Sequence, residues 1–170
     1  MAVHIRYIND CDATGFVDLL GGIFEHSPWV AERAYLLRPF SSLANLHEAM
    51  VNVVRQASSE KRLQLLQAHP ELAGKEAAAG KLTDASKREQ AGAGLNQCSG
   101  EELARIEHLN QAYAQRFGFP FIIAVSGLDK YQIIAAMQQR LGNSRSDEFE
   151  TALGEVEKIA RIRIDALIDD

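Results

Sequence analysis

The clearest helix signals lie in SGEELARIEHLNQAYAQRFG, residues 99–118. Ser99 and Glu102 form the S-x-x-E pattern of a capping box, which predicts the start of a helix. Gly118 is typical of the residue just beyond a helix end, so a long helix is expected up to Phe117. Helix signals of this kind recur on both sides of the stretch.

Upstream, residues 16–24 carry apolar side chains at i, i+3, i+4, i+7 and i+8, which predicts an amphipathic helix. Further helix starts are indicated at Ser27-Pro28, Ser41-Ser42 and Ser58-Ser59, and the third of these helices is expected to close at Ala68-His69 before Pro70. Residues 70–82 lack periodicity, which predicts an irregular connection, and a short helix follows near 83–93.

Downstream, helices are predicted from Asp129 to Gly142 and from Ser146 to the C-terminus. The run Phe119-Pro120-Phe121-Ile122-Ile123-Ala124-Val125 looks like a strand, but no second strand is available to pair with it. We therefore expect an all-α protein, a single compact domain over residues 1–170 with seven to eight helices and at most one extended segment.

The composition excludes several classes of protein. The chain has 170 residues, 46% of them hydrophobic and 24% charged, which is ordinary for a globular domain. Its net charge of −5 argues against nucleic-acid binding, because no basic surplus exists to release phosphate counterions. No apolar run approaches the roughly 20 residues of a membrane span, so no membrane association is expected. Cys11 and Cys98 form no CxxC pattern and predict two free thiols in a reducing compartment.

The termini carry no pattern of a secretory signal peptide and no ER or peroxisomal tripeptide, so a cytoplasmic location is expected. The phosphate-binding, dinucleotide-binding and nucleophile-elbow motifs are also absent from the sequence. The five histidines form no HxH, HExxH or HxxxH pattern. We therefore expect no cofactor and no metal, unless distant residues converge on one.

Three residues stand out as candidates for chemistry. His69 lies at a predicted helix end beside Pro70, where it could pair with the helix dipole as a cation or move a proton at a pocket mouth. Glu89 could close a capping box with Ser86 and so have only a structural role. Arg163 falls on the apolar stripe of the last helix, whereas Arg161 lies on its polar side. A buried arginine needs an anion or carbonyl partners, either an internal ion pair or a small anionic substrate.

Three segments, in matching order and distance, resemble one family. They are His69-Pro70-Glu71-Leu72-Ala73-Gly74-Lys75, then Ser86-Lys87-Arg88-Glu89-Gln90, then Phe117-Gly118-Phe119-Pro120-Phe121-Ile122-Ile123. The chain resembles 2-oxo-4-hydroxy-4-carboxy-5-ureidoimidazoline (OHCU) decarboxylase, an enzyme of urate-to-allantoin conversion. The last helix, residues 155–164, is similar to the C-terminal arginine segment of that family, and the resemblance covers essentially the whole chain.

The resemblance implies an all-α homodimer that decarboxylates OHCU to (S)-allantoin without cofactor or metal. Its catalytic residues correspond to His69 and Glu89. Its substrate-binding residues correspond to Pro70, Ser86, Gln90, Phe121, Ile122, Ile123, Ala124, Val125 and Arg163.

Two other functions stay open from the sequence. One is a non-catalytic all-α interaction module, which predicts that an internal carboxylate matches Arg163. The other is a metal-dependent hydrolase that uses His69 with Glu71 or Glu89.

Overall fold

A computed structural model describes all 170 residues, and it is all-α as predicted. It contains ten α-helices, seven of which have at least eight residues, and two single-turn 3₁₀ helices. The chain divides into two compact units, residues 1–68 with 157–170 and residues 69–156. None of the helices is both long and apolar enough to cross a membrane.

The first unit begins with β1 (Val3–His4) and continues through α1 (Ile5–Asp10), α2 (Ala13–Leu20), α3 (Trp29–Ala34), α4 (Leu43–Gln56) and α5 (Ser59–Gln67). Helix α3 packs against α2 and α4. Side-chain oxygens of Asp12, Ser42 and Ser58 accept hydrogen bonds from the first turns of α2, α4 and α5, as expected of N-caps. The predicted serine starts of α4 and α5 are therefore confirmed.

The second unit holds α6 (Lys75–Ala78), α7 (Asp84–Gly92), α8 (Gly100–Phe117) and α9 (Lys130–Arg140). The last helix, α10 (Arg145–Leu167), contributes residues to both units, and β2 (Ile168–Asp169) ends the chain by pairing in parallel with β1. The capping box of Ser99 and Glu102 is present, and Gly118 ends α8 in the left-handed conformation with φ of 81°. The prediction for residues 99–118 is confirmed at both ends.

Five aromatic rings form the apolar centre of the second unit. Tyr113 and Phe117 of α8 lie with their ring centroids 4.6 Å apart, and Tyr113 meets Phe121 edge-on at 5.4 Å. Phe119 joins them and contacts Phe149 of α10. The aromatic residues of 117–121 therefore anchor an extended segment that pairs with no strand, as predicted.

Some boundaries differ from the predictions. Residues 16–24 are a helix only up to Leu20, although Ile23 and Phe24 are buried as expected. Pro28 rather than Ser27 is the N-cap of α3, and α10 begins at Arg145, with Ser144 accepting from the N–H of Asp147. The connection over 70–82 contains the single turn α6, and the β1–β2 pair is too short for a strand pattern to predict.

Candidate active site

His69 lies just after helix α5, whose C-cap is Ala68, and its side chain is 8% exposed. Pro70 follows and cannot continue the helix, so the backbone turns into a loop that runs to Gly74, the N-cap of α6. The imidazole is thus buried, and its residue lies where helix α5 ends and the loop begins. That placement is common to both interpretations of His69, a partner of the helix dipole and a proton-transfer group at a pocket mouth.

The loop after His69 is fixed through its backbone. The N–H of Ala73 donates to Oε1 of Gln90 at 2.9 Å, and Nε2 of Gln90 donates to the carbonyl of Glu71 at 3.5 Å. Nδ2 of Asn110 on α8 donates to the carbonyl of Leu72 at 3.0 Å. Three consecutive residues are therefore held by two buried side-chain amides.

The loop geometry is also tight in itself. Ala73 has φ of 47°, a left-handed conformation that non-glycine residues rarely adopt. A Cβ atom on Gly74 would lie 2.5 Å from Cβ of Glu71, which leaves no space for any side chain there. The hydrogen bonds of the Gln90 and Asn110 side-chain amides therefore maintain a backbone conformation that this sequence would not favour in isolation.

Helix α7 presents the second group of predicted residues. Its N-cap is Thr83, whose Oγ1 accepts from the N–H of Ser86, so Ser86 lies inside the helix and the capping-box interpretation of Glu89 is wrong. Ser86, Glu89 and Gln90 are spaced i, i+3, i+4 and share one face, with Ser86 and Gln90 buried. Because Gln90 bonds to the His69 loop, this face of α7 is turned towards that loop.

The extended segment over 121–125 is held by Arg140 at the end of α9. Nη1 of Arg140 donates to the carbonyl of Ile122 at 2.7 Å, and the guanidinium lies 4.3 Å from the centre of the Phe121 ring. The other guanidinium nitrogens bind the carboxylate of Glu148 at 2.9–3.1 Å. The hydroxyl of Tyr113 also donates to Glu148, and all these side chains are buried.

The ionisation of this cluster follows from its contacts. Burial would raise the pKa of Glu148, but hydrogen bonds from Arg140, Tyr113 and Asn143 bring it below its ordinary value. Burial, together with the hydrogen bond to Glu148, raises the pKa of Tyr113 well above its ordinary value. At neutral pH Glu148 is therefore a carboxylate and Tyr113 a donor.

Helix α8 connects these parts. Asn110 and Tyr113 are three residues apart and lie on the same side of the helix. Asn110 bonds to the His69 loop, whereas the Tyr113 ring contacts Phe121 at the start of the extended segment. Helix α8 thus contacts both the His69 loop and the extended segment, and the loop in turn is bonded to α7, all within residues 69–156. These elements carry every predicted site residue except Arg163.

Arg163 belongs to the other unit and is 7% exposed, which confirms its predicted place on the apolar face of α10. Its Nη1 donates to Oε2 of Glu25 at 2.6 Å and to the carbonyl of Gly22 at 3.2 Å. Glu25 is 1% exposed, so the pair is a buried ion pair. This internal carboxylate is the feature that the interaction-module hypothesis expected. Arg161 is half-exposed and pairs with Asp165, as its i,i+4 spacing predicted.

Four residues in these contacts were not found from the sequence. Asn110, Arg140 and Glu148 have ordinary helix positions, and Glu25 follows an apolar stripe without any motif. Arg140 stands in the last turn of α9 and Glu148 in the first turn of α10, where such charges usually serve the helix dipole. No sequence signal separates them from surface charges.

A cavity of about 460 Å³ lies in the same unit, and none of the predicted catalytic or substrate-binding residues lines it. The lining consists of Glu71, Ala73, Gly74, Lys75, Ala78, Leu103, Glu107, Asn110 and Gln111. No three His, Cys, Asp or Glu side chains are grouped as they would be around a metal ion.

Comparison with known proteins identifies the family. The family model described as OHCU decarboxylase matches residues 9–165. A 2-oxo-4-hydroxy-4-carboxy-5-ureidoimidazoline decarboxylase of Haloferax volcanii is 48% identical over 160 residues, which cover 94% of this chain and 93% of that protein. A uric acid degradation bifunctional protein of Bacillus subtilis is 44% identical over 163 residues, which cover 96% of this chain but 32% of that protein.

The fold agrees with these sequence matches. The crystal structure of an (S)-allantoin synthase is similar, with a TM-score of 0.79 and 33% identity, over 98% of this chain and 54% of that one. The three sequence segments that resemble the family form the loop at His69, the buried face of α7 and the extended segment. The chain belongs to the OHCU decarboxylase family.

Proposed function

We propose that the protein decarboxylates OHCU to (S)-allantoin and CO₂, the last step in the conversion of urate to allantoin. The observation that carries the proposal is the placement of His69: a buried imidazole on a loop whose backbone is fixed by Gln90 and Asn110. Family membership indicates the identity of the substrate, since relatives that match over most of their length bear the name of this decarboxylase.

The substrate explains how the reaction proceeds without a cofactor. The carbon that loses CO₂ also bears a hydroxyl and stands beside a ring C=N. When the C–C bond to the carboxylate breaks, its electron pair forms a C=C bond to the neighbouring ring carbon, and the C=N electrons move to nitrogen, which takes up a proton. The hydroxyl then loses its proton and becomes a carbonyl, while a proton adds to that neighbouring carbon, which bears the ureido group. The protein has to orient the carboxylate, place charge and deliver the proton to one face.

His69 and Glu89 are the proposed catalytic residues. His69 hydrogen-bonds the substrate hydroxyl and helps to hold the carboxylate out of the ring plane, and Glu89 positions the imidazole. Burial of His69 supports this role, because an imidazole in a dry, fixed position keeps its orientation during the reaction. The position of Glu89 in α7 supports the role as well, because it places the carboxylate on the same helix face as Gln90, which bonds to the His69 loop.

The remaining predicted residues are proposed to bind the substrate. Pro70, Ser86, Gln90 and the backbone of 121–125 line the pocket, and Arg163 binds an anionic or carbonyl group. Gln90 holds the loop through Oε1 and one N–H, and its second amide hydrogen is available for a substrate oxygen. The ion pair with Glu25 supports the role of Arg163 because it fixes the guanidinium in one orientation.

The proposal extends to the assembly and location of the enzyme. The family resemblance supports a homodimer, which sedimentation equilibrium tests by a mass twice that of the chain. A cytoplasmic location fits the two free cysteines.

The carboxylate beside Arg163 fits the interaction module equally well, so it does not distinguish the enzyme from that module. Membership in an enzyme family does distinguish them.

The direct test is the release of CO₂ from OHCU generated freshly from urate by a urate oxidase and a hydroxyisourate hydrolase. We expect CO₂ to appear in a one-to-one ratio with OHCU consumed, at a rate proportional to protein concentration. His69→Asn is the matched control, because it keeps the size and polarity of the side chain. A rate equal to the spontaneous one in folded wild-type protein would refute the proposal.

A further inference from the structure

The extended segment 121–125 has donors that the chain itself does not use. The backbone N–H groups of Ile122, Ile123 and Ala124 make no hydrogen bond within the chain, although Ile122 is 3% exposed and the other two are half-buried. Buried N–H groups nearly always have a partner, and the N–H of Ile122 has none within the chain, while the half-buried N–H groups of Ile123 and Ala124 are accessible to a ligand.

One peptide group of the segment differs from its neighbours because its carbonyl is bound by a cation. Nη1 of Arg140 donates to the carbonyl oxygen of Ile122 at 2.7 Å, and that carbonyl belongs to the same peptide group as the N–H of Ile123. A positive donor on the oxygen draws electron density from the nitrogen, which makes its N–H a stronger donor.

Arg140 is held rigidly enough to have this effect. Glu148 is fully buried and takes the guanidinium in a bidentate pair, while Tyr113 and Asn143 satisfy the remaining carboxylate positions. The Phe121 ring stacks on the guanidinium at 4.3 Å. The Arg140–Glu148 pair has no net charge, but the group that faces the Ile122 carbonyl is the positive guanidinium of Arg140.

We propose that Arg140 is a positioning residue of the decarboxylase. It fixes the backbone of the extended segment and polarises the Ile122–Ile123 peptide, so that the N–H of Ile123 binds an oxygen of the substrate on which negative charge is held or develops. The inference rests on the proposed function, in which the backbone of this segment lines the substrate pocket. Glu148 acts only through Arg140.

Arg140→Lys tests the proposal, because one ammonium group cannot bind both the Glu148 carboxylate and the Ile122 carbonyl with the geometry of the guanidinium. We expect kcat/KM for OHCU to fall about 10-fold or more, since weakening a donor to a charged oxygen costs less than removing one. Tyr113→Phe is the matched control: it removes the bond to Glu148 and the long bond from Nη2 of Arg140, at 3.5 Å, but leaves the Arg140–Ile122 bond. Its kcat/KM should stay within about 2-fold of the wild type.

Amide NMR gives a readout that a purely structural role would not move. The proton and nitrogen resonances of Ile123 should shift upfield in Arg140→Lys and stay in place in Tyr113→Phe. A folded Arg140→Lys protein with wild-type kcat/KM and an unmoved Ile123 amide would overturn the proposal. Wild-type protein without activity on OHCU would refute the proposed function instead, while the Ile123 shift would still report the polarised peptide.

A second comparison tests the proposal if the Arg140→Lys protein does not fold. In the Tyr113→Phe background, replacing Arg140 and Glu148 together by Met removes the ion pair without leaving a buried charge. This protein should also lose about 10-fold in kcat/KM relative to Tyr113→Phe, and an unchanged value would overturn the proposal. In the wild type alone, the carbonyl carbon of Ile122 should lie further downfield of the reference value for its residue type than those of Ile123 and Ala124 do of theirs, and equal displacements would also overturn it.

Discussion

Nη1 of Arg163 lies 2.6 Å from Oε2 of Glu25, and both side chains are removed from solvent, at 7% and 1% exposed. The two residues are 138 positions apart in the sequence. A pair of charges in this environment is costly to desolvate, so removal of one partner leaves the other uncompensated. The pair thus holds the Arg163 side chain in one buried position.

Glu25→Ala should therefore lower the free energy of unfolding by about 3–5 kcal/mol, because it leaves the Arg163 guanidinium buried without its carboxylate. Urea unfolding followed by circular dichroism measures the loss. Asp165→Ala is the control, since it breaks the exposed pair with Arg161 and should cost no more than about 1 kcal/mol. Equal losses in the two variants would contradict the account of the buried pair.

The positions of the helices could be predicted because their signals are local. Ser42, Ser58 and Ser99 cap the helices that they were expected to begin, and Gly118 ends α8. The place of Arg163 on an apolar face followed from helix phase in the same way. Such features depend on residues within one or two turns, which a single sequence displays.

The contacts that position the site could not be predicted, because their partners are far apart in the chain. Gln90 bonds to a loop 17–19 residues away, Asn110 to Leu72 across 38, and Arg163 to Glu25 across 138. Arg140 and Glu148 are only eight residues apart, but a turn between two helices brings them together. Charges at helix ends look the same in the sequence whether they face solvent or a buried partner.

Replacement of the proposed catalytic residues should affect turnover and leave the fold unchanged. In His69→Asn and Glu89→Gln we expect kcat to fall by about 10²–10⁴, the usual contribution of a positioned acid or base. The far-UV circular dichroism should match the wild type. His108→Asn and Glu101→Gln, both at exposed positions of α8, are the matched controls and should keep full activity. Near-full activity of His69→Asn would remove His69 from the mechanism.

The backbone shape of the His69 loop can be tested at Gly74. Gly74→Ala places a Cβ about where Glu71 already lies, so the loop has to shift. We expect kcat/KM to fall at least 10-fold and stability to fall by about 1–3 kcal/mol. Gly92→Ala in the last turn of α7 meets nothing within 4 Å and should stabilise by about 0.5–1 kcal/mol with unchanged kinetics. Unchanged kinetics in Gly74→Ala would show that the loop shape is not needed.

The buried carboxylate of Glu148 gives stability a defined dependence on pH. Its pKa is below the ordinary value in the folded protein, so its contribution is complete above the unfolded pKa of about 4.3 and is lost as pH falls through the lower folded value. Between the unfolded and the lower folded pKa values, the free energy of unfolding of Glu148→Gln should fall less steeply with falling pH than that of the wild type, by up to about 1.4 kcal/mol per pH unit. Urea unfolding between pH 5.5 and 3 measures both slopes, and parallel slopes would contradict the lowered pKa.

The most direct test of the central claim is the optical activity of the allantoin formed from fresh OHCU. Spontaneous decay gives both enantiomers, whereas a pocket that delivers the proton to one face gives one. With wild-type protein the account predicts rapid growth of the circular dichroism signal of (S)-allantoin, and with His69→Asn a slow formation of racemate. Racemic allantoin at the spontaneous rate, from folded wild-type protein, would contradict it.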